Sequence, residues 1–65
     1  MSQRETNLLW LRDTLEQLLA SQQRLEWAED AEAVGVLTQT MIRDLDRCRR
    51  LCLEIQRRSQ FQSAA

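Results

Sequence analysis

The sequence predicts an all-α protein, a two-helix antiparallel hairpin that dimerises into a four-helix bundle, and three observations carry that expectation. Apolar residues recur at helical spacing in two stripes, Leu8, Leu11, Leu15, Leu18 and Leu25, then Val34, Leu37, Met41, Leu45, Cys48, Cys52 and Ile55. The stripes are out of register. Gln22 fills one polar step of the first, and Glu29 and Glu32 fall where its continuation needs apolar side chains, so the chain folds back instead of running on as one helix. Composition agrees, with no proline, one glycine and many of the Leu, Glu, Gln, Arg and Ala residues that favour helix.

Residues 1–5 are polar and are expected to fray. Thr6 or Asn7 is placed to cap the first helix ahead of Leu8, and that helix then covers about residues 7–28. The acidic group Glu26, Glu29, Asp30 and Glu32, with Trp27 off the apolar face, sets a turn within about residues 26–33. Asp30 is the expected cap of the second helix, and Glu32 in its first turn faces the positive end of the helix dipole. A break at Gly35, acting as a glycine C-cap, is the alternative. Val34 is already in phase with Leu37 and Met41, which favours the earlier turn. The second helix is expected over about residues 31–58, with a polar tail at 59–65, and the 65 residues form a single helical-hairpin domain.

A chain of this length buries a modest fraction of its surface, and one inter-helix seam is a small core to set against the entropy of ordering it. Two cysteines make no disulfide framework, and with no histidine the common zinc sites cannot be built. Self-association is the remaining source of buried area, so a homodimer is expected, with the two stripes serving together as core and dimer seam.

The net charge is −1, and all nine basic residues are arginine. Residues 1–32 hold three arginines against seven acids, and residues 33–65 hold six against three, a distribution that suits antiparallel packing of charged flanks. No apolar run approaches the roughly 18 residues of a membrane span, and the first residues lack the apolar segment of a secretory signal. The expectation is a cytoplasmic protein with reduced thiols and no membrane partner.

Cys48 and Cys52 lie four apart on one helix face, and a two-fold dimer could gather four thiolates into a tetrahedral metal site or a thiol sensor. Both fall within the apolar stripe, where free cysteine behaves as a small hydrophobe, so packing is the favoured role and no metal or cofactor is assigned. Arg43, Arg47, Arg50 and Arg57 share a sector opposite the stripe and could contact phosphates, which makes an RNA- or DNA-associated regulator the alternative reading. Interleaved acids and the scarcity of neighbouring aromatics, with Phe61 in the tail, make that face an ordinary solvated one and nucleic acid a disfavoured partner. Asp46 with Arg50 and Glu54 with Arg58 are acid-first pairs four apart that support the helix. Trp10, Trp27, Ile42 and Leu53 fall off or beside the stripes and are expected to divide between a wider dimer seam and a surface for another protein, with Trp27 either capping the bundle end or making a contact. No histidine, glycine-rich loop or cleft supports catalysis, so an enzyme is not expected. In architecture alone the pattern resembles the antiparallel hairpin dimers of plasmid copy-number regulators and the small helical secretion chaperones. No motif carries that likeness, so it transfers no functional residue. The reading is a protein that acts through protein contacts, as an adaptor, chaperone or regulatory subunit.

Overall fold

A computed structural model describes the backbone of residues 2–64 and the side chains of residues 2–59. The side chain of Phe61 and the terminal residues Met1 and Ala65 lie outside what is described. Two helices, α1 (Gln3–Trp27) and α2 (Ala31–Ala64), pack against each other as an antiparallel hairpin measuring 53 × 18 × 13 Å.

The first helix starts at Gln3 and not near residue 7, because Ser2 supplies the cap. Its Oγ accepts the Glu5 N–H at 3.1 Å and its carbonyl accepts the Thr6 N–H at 3.0 Å, satisfying donors that the first turn otherwise leaves orphaned. Thr6 and Asn7, expected as caps, lie inside the helix. Asn7 is buried at 2% exposure, its Oδ1 accepting from Gln3 Nε2 at 3.0 Å. Ala28 adopts an extended conformation (φ −72°, ψ 128°) and ends α1, its N–H donating to the Leu25 carbonyl at 3.2 Å. Asp30 opens α2, since its Oδ1 accepts the Ala33 N–H at 2.7 Å and its carbonyl accepts the Val34 N–H at 3.1 Å. Gly35 lies within α2 and forms no turn. Residues 59–64, expected as a tail, continue the helix, as a stretch of Ser, Gln, Phe and Ala with no proline or glycine allows.

A row on each helix builds the contact between them. In α1 it is Asn7, Leu11, Thr14, Leu18, Ser21 and Leu25, alternating steps of four and three, with the leucines half-buried and the three polar residues buried. In α2 it is Leu37, Met41, Asp44, Cys48, Leu51 and Ile55, all half-buried, with the same alternation. Small side chains between the leucines let the helix backbones approach. Thr14, only 1% exposed, sends its hydroxyl hydrogen to the Trp10 carbonyl at 2.8 Å, so its polar atom is satisfied within its own helix. A cleft lined by Ser2, Gln3, Arg4, Ile55, Arg57, Arg58 and Ser59 fixes the register, with the start of α1 beside residues 55–59. Counting inward from that cleft, Leu8 falls about level with Cys52, Leu15 with Leu45, Leu19 with Ile42, and Gln22 with Thr38.

Candidate interaction faces

Among the described residues no hydrophobic side chain is fully buried. Five of the ten large hydrophobic residues that stand exposed fall in one ordered pattern. A second row on α1, Leu8, Arg12, Leu15, Leu19, Gln22 and Glu26, repeats the spacing of the first row one residue further along, and every member is exposed. On α2 the equivalent row is Thr38, Ile42, Leu45, Arg49, Cys52 and Gln56, with Thr38 half-buried and the rest exposed. Both helices are right-handed and run in opposite directions, so a step of one residue from the seam turns each row toward the same side of the hairpin. The two rows therefore make one face. Its centre is a block of four aliphatic side chains, Leu15 (52% exposed), Leu19, Ile42 and Leu45 (56% exposed).

The residues expected as core and dimer seam divide between the two rows. Leu11, Leu18, Leu25, Leu37, Met41, Cys48 and Ile55 are half-buried in the contact between the helices. Leu8, Leu15, Leu45 and Cys52 stand exposed on the second face, and Val34 lies exposed near the turn. The buried Asn7, Thr14 and Ser21 were outside the apolar pattern, and only their place in the four-three alternation with Leu11, Leu18 and Leu25 could have found them.

The opposite side of the hairpin carries Trp10 and the arginine sector. Asp46 pairs with Arg50 at 3.1 Å and with Arg49 at 3.7 Å, while Glu54 pairs with Arg57 at 2.6 Å and Arg58 at 2.9 Å. Hydrogen bonds from Arg57 first, and then from Arg58, outweigh the opposing effect of desolvation and lower the Glu54 carboxyl from its ordinary value. Arg43 and Arg47 have no ion-pair partner among the described residues. Trp27 is 84% exposed beside the turn, and Leu53 faces away from α1.

Cys48 and Cys52 are free, the first half-buried in the contact and the second exposed. Burial pushes the Cys48 thiol up, helped by Cys52 and Asp44 and opposed by Arg47. Among the described residues no three His, Cys, Asp or Glu side chains cluster as a metal site. In the single hairpin, at protein concentrations low enough to keep the chain monomeric, a thiol-specific reagent is expected to modify Cys52 several-fold faster than Cys48 at pH 7 to 8, because the buried thiol yields less thiolate and less access. Peptide mapping by mass spectrometry after brief labelling checks this, and equal rates would contradict the placement of Cys48.

The geometry defines the class as an all-α helical hairpin in which no described helix is long and apolar enough to cross a membrane. No family model, curated protein or solved structure matches the chain.

Proposed function

We propose that this chain is a small interaction module that self-associates as a dimer, forms a four-helix bundle, and acts in the cytoplasm through protein contacts as an adaptor, chaperone or regulatory subunit, with no catalytic role. The observation that carries the reading is the exposed aliphatic block on a hairpin with no fully buried hydrophobic side chain among its described residues. Surface area supports it. The chain exposes 5318 Å², against about 4,300 Å² for a compact monomer of 7.7 kDa. The excess of about 1,000 Å² is close to the ~800 Å² that each partner buries in a stable interface.

Light scattering coupled to size exclusion tests the reading. The expected result is twice the chain mass at micromolar concentration and a melting temperature that rises with protein concentration. A monomer whose melting is independent of concentration would overturn it. The arginine sector is read as a solvated face, because Arg50 and Arg57 within it are already engaged by Asp46 and Glu54 and acids are interleaved along it. Short RNA and DNA duplexes are therefore expected to show no measurable binding at physiological salt. A micromolar, salt-dependent shift that Arg43→Ala and Arg47→Ala weaken would replace this reading with the nucleic-acid one.

A further inference from the structure

We propose that the exposed face is covered by a second copy of this chain laid on it end for end, so that the two-fold axis crosses the helices at right angles through the block of Leu15, Leu19, Ile42 and Leu45. This rests on the dimer reading above and adds which face is used and which way round the copies lie.

The layers of the face select this arrangement. Along the hairpin they run Leu8 with Cys52, Arg12 with Arg49, Leu15 with Leu45, Leu19 with Ile42, Gln22 with Thr38, and then Glu26 opposite Gly35. The aliphatic block is two layers deep, with Arg12 and Arg49 on one side, each in a long, exposed ion pair along its own helix (Arg12 with Glu16 at 3.8 Å, Arg49 with Asp46 at 3.7 Å), and a neutral polar layer followed by an acid on the other. End-for-end stacking places Leu15 on Leu19 of the second copy and Leu45 on its Ile42. Each copy's Arg12 and Arg49 then meet Gln22 and Thr38, with Glu26 one turn further and within reach of a guanidinium. The result is an apolar centre inside a polar rim of opposite charges, the anatomy of a specific interface, and it is the same patch on both copies, as a two-fold requires. Stacking the copies the same way up instead sets four arginines in one layer between apolar layers, and like charges at an interface oppose association.

The ends of the hairpins report the difference. Glu29→Cys, at an exposed position in the turn, carries a spin label in a Cys48→Val, Cys52→Ala background. End-for-end stacking puts the two labels at opposite ends of the bundle, about 36 Å apart along its axis at 1.5 Å per residue. The same-way arrangement puts both turns at one end, where helix spacings of about 10 Å keep the labels within about 25 Å. A dipolar EPR distance of roughly 35–45 Å is expected. A shorter distance in a protein that light scattering shows to be dimeric overturns the end-for-end arrangement and leaves the dimer reading standing, whereas a monomeric mass overturns both. Charge exchange gives a second test that leaves both cysteines in place. Arg12→Glu and Glu26→Arg should each weaken dimerisation several-fold at low salt, and the double variant should restore it, because residue 12 of one copy lies near residue 26 of the other. Failure of the double variant to recover also overturns the arrangement.

Discussion

Replacing Leu15 and Leu45 together by glutamate is expected to leave a monomer, with a mass near 7.7 kDa and a melting temperature that no longer depends on concentration. The two leucines sit at the middle of the exposed face, level with each other on the two helices, and are more than half exposed in the single hairpin. The substitutions therefore remove little from the contact between α1 and α2. Each dimer loses the burial of four leucines at about 1.5 kcal/mol or more apiece, roughly four decades in the dissociation constant, before the cost of drying four carboxylates is added. Leu53→Glu is the control. That side chain faces away from α1, so the variant should remain dimeric. Analytical ultracentrifugation of the three proteins decides the matter, and a dimer that survives the double substitution would mean that another surface joins the chains.

The second large effect lies in the other seam. Leu18→Ala is expected to lower stability by about 2 kcal/mol or more, because it opens a gap between buried Thr14 and Ser21 that neighbouring helix backbone cannot close. For a domain of this size that is a fall of about 10 °C or more in melting temperature. Gln17→Ala, one residue away on an exposed position, should change stability by no more than about 0.5 kcal/mol. Thermal melts followed by circular dichroism at one fixed concentration compare the two. A shift at Leu18 as small as that at Gln17 would mean that the contact between the helices contributes little to stability.

The two experiments address different seams, yet the leucines involved belong to a single stripe in the sequence. Period and composition alone determined that the chain is helical, because no other element places apolar residues three and four apart over such lengths. The turn was legible for the same reason, since the acids at Glu26, Glu29, Asp30 and Glu32 interrupt the pattern and Asp30 is a strong cap. The pairs of Asp46 with Arg50 and of Glu54 with Arg58 followed directly from helical spacing. Boundaries were less legible. Ser2 caps α1 and residues 59–64 remain helical, and both outcomes depend on short-range backbone hydrogen bonding that an apolar pattern does not report.

Which face of α1 turns inward was decided only by the tertiary structure. Hydrophobicity would place Leu8 and Leu15 beside Leu11 and Leu18 in one broad core. The hairpin instead rotates α1 so that Asn7, Thr14 and Ser21 enter the contact and Leu8, Leu15 and Leu19 are left outside. The physical reason is size. A row that alternates leucine with a small residue lets two backbones come close, and a residue such as Thr14 can enter it because its hydroxyl is satisfied by the carbonyl of Trp10 in its own helix. A sequence stripe records how many apolar residues a helix carries on one side, and the distance between helix axes determines which of them the neighbouring helix covers.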